Sequence, residues 1–463
     1  MTALKRIAAG LAAAGASWCA VAAPAPTDRV YTADQNTNTV SVFDPSANRL
    51  LGQIRLGNRR PDVLSPLYKG EINVHGLGFS PDRKTLLVVS NGSNSAIFID
   101  TATNTVKGKT YIGRSPHEGF FTADGKEAWV VVRGEDYISV IDPVSFREKR
   151  RIQTAPGPGM VQFHPDGKLA FVVSSFTPEL DVIDVKSHRV IKRIPVVSPF
   201  SPFLQFTPDH REVWMTHKDV GKVTRIDTRS LEVAGVIDTG FITNHLAFAK
   251  VGGEVLAYVT VGGENAVEVF STGKEARLLT TIPTGALPHG IWASGDGSRM
   301  YVGLENGDGV EVIDTATNTT IARMGGGQAP QALVYLPDVA PAGAAPNLAP
   351  RMNEDPVNVP LRAVQGTGRG FVVARNLGVI DAFEVSLFKL KPRTQYNLFL
   401  AGQRTPTASF LTDAAGAANG TVIGPVKSYG GANAAEVPPG QRVLVMEGAA
   451  SPSARDAALA DAP

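Results

Sequence analysis

Seven times along this 463-residue chain an aromatic residue or a leucine opens a short β-branched run, at Tyr31, Leu87, Trp129, Phe171, Trp214, Tyr258 and Tyr301. Thirteen residues beyond each, a second run ends, at Asp44, Asp100, Asp142, Asp184, Asp227, Ser271 and Asp314. Both series advance by 56, 42, 42, 43, 44 and 43. Unrelated strands do not keep step in this way, and a period near 42 built from strands specifies a propeller or a related array.

Each unit follows the grammar of four strands joined by tight turns. From Gly76 to Val106, an inner strand ends in Phe79 and Ser80-Pro81-Asp82-Arg83 reverses the chain. A second strand then runs through Leu87, and a third ends at Asp100 before Thr101 to Asn104 turn into the fourth. Pro presets φ, Asp hydrogen-bonds the local backbone, and Asn and Gly tolerate left-handed conformations. The inner-strand signature returns as FTADGK at Phe121, FHPDGK at Phe163, FTPDHR at Phe206, FAKVGGE at Phe248 and ASGDGS at Ala293. It returns once more as YLPD at Tyr335, whereas the first unit lacks it. The strand over 332–336 is therefore expected to complete the blade begun by residues 29–56. That pairing closes an all-β, seven-bladed ring over residues 29–337 with no open sheet edge, which an uncapped solenoid would not achieve.

With these residues in view, segments such as YTADQNTNTVSVFD from Tyr31, together with the PDGK turns, resemble the YVTN-type β-propeller family, as an exported bacterial member. The resemblance covers about residues 29–337 and implies the fold. Function it spreads widely, since the family takes in archaeal surface proteins, bacterial periplasmic proteins, and relatives of lactonases and of the propeller domains of nitrite and nitrous oxide reductases.

Beyond Pro337 the repeat stops. Residues 338–356 read as an Ala/Pro-rich linker, and residues 357–448 as a small β-sandwich of fibronectin or immunoglobulin type. Within the latter, Leu390-Lys391-Pro392-Arg393-Thr394-Gln395-Tyr396 resembles the tyrosine corner of such sandwiches. Residues 449–463 read as a disordered tail.

The first 22 residues have the form of a secretory signal peptide: Lys5 and Arg6, an apolar stretch from Ile7 to Ala16, and small residues around Ala20-Val21-Ala22, with cleavage expected after Ala22. About 20 apolar residues are needed to span a bilayer, so no transmembrane segment is expected in the mature chain. The single cysteine, Cys19, lies in this leader. Export without disulfides suits a periplasmic or secreted protein. Loss of Lys5 and Arg6 takes the formal charge from +2 to 0, which gives no electrostatic reason to expect nucleic acid as a partner.

Four residues before the inner-strand aromatic, each blade places one side chain where the innermost strand begins: Gln331, His75, His117, Gly159, Pro202, Asn244 and His289, with His245 one place further on. By the family's geometry these positions line the upper mouth of the central channel, so four histidines are expected to converge there. Imidazoles around an axis can bind a metal, hold an anion or move protons. They can equally serve only to hydrogen-bond the backbone at a turn. For a divalent metal or a redox cofactor, the ligands would be His75, His117 and His289. Loops between second and third strands open on the same face. Among them Arg133 and Glu305 interrupt apolar strand ends, and an arginine beside the histidines would suit a carboxylate or phosphate. The surplus segment NRRPDVLSPLYKGEI over 58–72 brings Arg59, Arg60 and Tyr68 as a candidate lid. Glu118 follows His117, but adjacent strand residues face opposite ways, so no acid and base pair is expected there. No zinc-finger spacing, G-x-S-x-G elbow or phosphate loop is present.

Carboxylates are scarce in this ring, which favours a binding protein or scaffold that engages a small anionic ligand or a protein partner over its top face. The alternative is an enzyme that uses the histidines, either a lactonase-like hydrolase or an accessory protein of redox-cofactor metabolism.

Overall fold

A computed structural model describes residues 24–59, 67–377, 381–400, 402–424 and 442–461. The segment expected to be a leader, with Cys19, and Arg60 lie outside the described residues. Seven four-stranded antiparallel sheets follow one another around a ring. Blade 2 shows the pattern, with strands Val74–Phe79, Thr85–Ser90, Ser95–Asp100 and Thr105–Tyr111 running from the channel outward. The first three are buried throughout their middles, while the outermost is exposed except at Thr110 and, in part, Gly108. Blade 1 is composite: Pro330–Leu336 pairs antiparallel with Arg29–Asp34, with Val30 opposite Tyr335, as the repeat required. Apolar side chains of neighbouring blades interdigitate, as where Phe171, Trp214 and Phe248 join one cluster spanning blades 4 to 6.

The recurrent Asp at the end of the third strand is a turn residue. Its Oδ1 accepts backbone N–H bonds from the following residues, Ala102 and Thr103 for Asp100 and Ala316 and Thr317 for Asp314. A left-handed residue then turns the chain into the fourth strand, Asn104 in blade 2 and Asn318 in blade 7. This local chemistry is why the Asp repeats in register with the strand aromatics.

Residues 338–356 do not hang free as a linker. Gln53 and Ala349 exchange both backbone hydrogen bonds, and the Arg29 guanidinium donates to the carbonyls of Pro341 and Ala344. The segment thereby straps the outer strand of blade 1. The second module is all-β, and the tyrosine corner is formed: the buried Tyr396 hydroxyl accepts the Lys391 N–H at 3.2 Å. A three-stranded group (Ala408–Leu411, Gln395–Leu400, Val443–Glu447) and a four-stranded group (Val357–Ala363, Arg369–Asn376, Asp381–Phe388, Ala418–Gly424) have the strand numbers of a sandwich. They are joined by Leu459–Asp461, which pairs with both Val443–Glu447 and Val357–Ala363. The result is one eight-stranded antiparallel sheet whose edge strands approach each other, nearly closing a barrel. The tail is thus corrected from disordered to structural. Its small, polar composition hides Ala457 and Leu459, which are buried in the module. Among the described residues no helix is long and apolar enough to cross a membrane.

Candidate functional site

Every inner strand at the channel mouth except that of blade 5 is entered through a left-handed residue two places before the predicted mouth position: Asn73, Ser115, Gly157, Ile242, Leu287 and Ala329. The strand then carries a bulge, with register shifts at Val74/Gly76, Pro116/Gly119, Pro158/Met160, Thr243/Leu246 and Pro288/Ile291. A bulge re-aims side chains that strict alternation would send to opposite faces. Here it brings Glu118 beside His117, and the expectation from alternation fails for that reason. His75, His117 and Glu118 offer ligand atoms that all lie within 4.8 Å of one another.

The histidine ring is real, and it consists of two pairs. Nε2 of His75 and Nε2 of His117 lie 2.8 Å apart, with ring centroids at 4.4 Å. The rings of His245 and His289 lie 4.7 Å apart, and His245 stacks on Phe203 at 4.0 Å. One ring of each pair, His117 and His289, also bonds the backbone. His117 Nδ1 donates to the Gly159 carbonyl at 2.6 Å, and His289 Nδ1 to that of Gln331 at 2.8 Å. Each acceptor stands 42 residues on, at the equivalent place in the next blade. Because a carbonyl only accepts, Nδ1 carries the proton and Nε2 keeps its lone pair. Asn244 makes the corresponding blade-to-blade link by donating to the Pro288 carbonyl. Gly76 is required here, since a Cβ would meet the His117 carbonyl oxygen at 2.1 Å.

Burial, with Arg133 nearby, holds the His75 and His117 imidazoles well below their ordinary range. Burial and the neighbouring cation Lys218 bring His289 to about 3, and burial likewise depresses His245. The four rings are neutral at physiological pH. Burial pushes the Glu118 and Glu305 carboxyls up, and it pulls the Arg133 and Lys218 cations down. Among the described residues neither the Arg133 guanidinium nor the Lys218 ammonium makes a hydrogen bond or an ion pair within 4.0 Å. Lys218 occupies a second-to-third strand loop, and its chemistry becomes apparent only once the blades are assembled.

The C-terminal sheet covers part of this mouth. Phe371, Val373, Phe388 and Ala417 pack on Ile242 and Leu287, the two left-handed residues of blades 6 and 7. Positive φ is costly for a β-branched residue such as Ile242, about 1–3 kcal/mol, and it persists only where surrounding packing enforces it. Arg375, fully buried, donates to both Asp308 oxygens and to the Glu305 carbonyl and pairs with Glu384. Asn36 donates to Glu384, and Arg369 pairs with Glu264. Between the two modules remains a cavity of about 370 Å³, lined on the propeller side by residues that include Lys218, Glu305 and Asn36 and on the other by Glu384, Ser386 and Thr421. Gln331 stands beside Glu305 but outside this lining.

The described ends of the candidate lid bond locally rather than to the mouth residues. The Tyr68 hydroxyl donates to the Glu71 carbonyl and accepts the Asn58 N–H, while Arg59 reaches the Met352 carbonyl. These bonds tie the described ends of the insert to one another and to the segment that follows the propeller. At the opposite end of the channel Phe79 meets Phe120 and Trp292 edge to face, with centroids 6.3 and 5.9 Å apart, in a largely aromatic cavity that also holds Gln162, Gln205, His164 and His210.

The fold defines the class: a seven-bladed β-propeller with a histidine-lined channel mouth, partly covered by an all-β C-terminal module. Within that class, residues 121–333 match the YNCE-like beta-propeller family. No curated protein matches the chain in sequence. In fold the chain is similar to the hydrazine synthase of Kuenenia stuttgartiensis, with a TM-score of 0.51, 19% identity, and coverage of 58% of this chain and 92% of that one. It is similar to the dihydro-heme d1 dehydrogenase NirN, with a TM-score of 0.50, 14% identity, and coverage of 78% and 71%. The periplasmic gluconolactonase PpgL of Pseudomonas aeruginosa gives a TM-score of 0.55 and 17% identity, with coverage of 67% and 99%. At such identities the likeness is one of fold.

Proposed function

We propose that this chain is an exported, periplasmic binding protein that takes a small anionic ligand into the chamber between the propeller mouth and the C-terminal sheet. The observation that carries this reading is the pair Arg133 and Lys218: two cations, partly desolvated and without an ion-pair partner within 4.0 Å among the described residues, beside four neutral imidazoles. Desolvated charge without a partner is costly, and a carboxylate or phosphate offsets that cost with charge-assisted hydrogen bonds. Asn36, Asn306, Ser386 and Thr421, which line the chamber with Lys218, offer further polar contacts to hydroxyl groups on such a ligand, while Arg133 and the histidines stand outside its lining. The chamber's volume, about 370 Å³, suits a molecule of metabolite size.

The test is calorimetric titration of the purified chain with inorganic phosphate, citrate and gluconate. Binding of at least one, weakened tenfold or more by Arg133→Met or Lys218→Met with folding intact, is the expected result. Tenfold corresponds to about 1.4 kcal/mol. Equal affinity in both variants would sink the proposal.

A second reading rests on Glu118, whose carboxyl is held protonated-prone by burial beside two neutral imidazoles, a set able to move protons. It makes the chain a lactone hydrolase, an activity printed in the name of the similar gluconolactonase. Turnover of gluconolactone that is abolished by Glu118→Gln would favour this reading over simple binding.

A further inference from the structure

The pairing of His75 with His117 leaves a donor unaccounted for. His117 has its proton on Nδ1, fixed by the Gly159 carbonyl, so its Nε2 presents a lone pair to His75 Nε2 at 2.8 Å. If His75 carries its proton on Nε2, the two rings hydrogen-bond, and the buried Nδ1 of His75 is a lone pair with no donor, as the structure records. If the proton sits on Nδ1, two lone pairs confront each other. A cation at the meeting point resolves the second arrangement. The Glu118 carboxylate completes the set: its Oε2 accepts the Leu77 N–H at 3.1 Å, which orients the group against the two imidazoles. All three side chains are at least nine-tenths buried.

We infer that His75, His117 and Glu118 form a binding site for one divalent first-row transition ion at the floor of the channel mouth. Two imidazoles and one carboxylate suit zinc, iron, cobalt or nickel and are poor for magnesium or calcium. Three protein ligands leave a coordination position open, as in sites that take an exogenous group. The outer contacts are those of a metal site, since a carbonyl fixes the His117 tautomer and a backbone N–H fixes the carboxylate. Ligand nitrogens at about 2.0–2.1 Å from a tetrahedral ion lie roughly 3.3 Å apart, so ring rotation of a few tenths of an ångström opens the observed pair to fit. On binding, the His75 proton resides on Nδ1, and the Glu118 carboxyl, which burial pushes up, releases its proton to solvent as the ion takes its place. Arg133 flanks the cluster and would draw an anion to the open position. His289, expected among the ligands from sequence, is not in the convergent set and pairs with His245 instead.

The experiment is titration of the chelator-treated full-length chain with Co(II) alone, read by its visible absorption and by equilibrium dialysis. It uses no anionic ligand, so its failure is distinct from failure of the anion reading. Expected are one equivalent bound per chain, displacement by Zn(II), loss of the band in His117→Asn, and at least a tenfold weaker affinity in Glu118→Gln, with His289→Ala unchanged. His117→Asn keeps a donor for the Gly159 carbonyl, and near-ultraviolet circular dichroism checks that both variants fold. Absence of stoichiometric binding at micromolar Co(II) overturns the inference. So does a spectrum that persists in the folded His117→Asn variant, since it would place the ion on surface histidines such as His164 and His210.

Discussion

Replacing Arg375 with alanine should release the C-terminal sheet from the propeller. The guanidinium is fully buried and makes three bonds to Asp308, one to the Glu305 carbonyl and an ion pair with Glu384. Asp308, itself fully buried, otherwise accepts only the Ala329 N–H among the described residues. Breaking a buried pair by removing one partner costs about 3–5 kcal/mol, because the remaining charge has no water to return to. Burial pushes the Asp308 carboxyl up and Arg375 brings it down, so without the arginine it takes a proton more readily. The defect in Arg375→Ala should therefore shrink as the pH is lowered. Arg375→Met with Asp308→Asn removes both charges and should recover most of the loss, since replacing a buried pair by groups of similar volume is often neutral. The assay is urea unfolding of the full chain, followed by tryptophan fluorescence, which reports the propeller, and by limited proteolysis after Asp338, which reports undocking. A single-variant loss under about 1 kcal/mol, or a double variant as unstable as Arg375→Ala, would refute the argument that this pair is desolvated and holds the cap in place.

Asp34 is buried beneath Thr32, Thr39 and Ser41, whose hydroxyls donate to it, and burial raises its carboxyl to about 7. The folded state then binds a proton that the unfolded state releases near pH 4, so this contribution to stability is full below pH 4 and is lost as the pH rises to 7. The loss is up to about 4 kcal/mol, and Asp34→Asn should flatten that slope in thermal melts. A Cβ at Gly76 would collide with the His117 carbonyl at 2.1 Å, so Gly76→Ala should destabilise the chain by about 1–3 kcal/mol in denaturant titrations, whereas Gly235→Ala, with open space around it, should have little effect. Truncation after Gly448 removes the strand that joins the two halves of the C-terminal sheet. It should expose that module to proteolysis, and Leu459→Ala should do so partly, at about 2–5 kcal/mol.

The propeller was legible because its signals are local and recur. The aromatic that opens a strand, the Asp that closes a turn and the YLPD stub that seeks a first blade are each readable within a few residues. The convergence of His75, His117, His245 and His289 followed from counting to the same place in each unit. Glu118 was missed because strict alternation was assumed where a bulge between Pro116 and Gly119 intervenes, and a register shift against the neighbouring strand is not written in the residues that carry it. The tail was misread because two buried residues, Ala457 and Leu459, weigh little in a composition that is otherwise small and polar.

The sequence by itself therefore determined the number of blades, the closure of the ring and which side chains stand at its mouth. Only the tertiary structure decided that an arginine at 375 neutralises an aspartate at 308, that Lys218 and Arg133 have no ion-pair partner within 4.0 Å among the described residues, and that the C-terminal sheet covers part of the mouth. Those outcomes depend on desolvation, and how much water a charge loses is set by surfaces brought together from distant parts of the chain rather than by its neighbours in sequence.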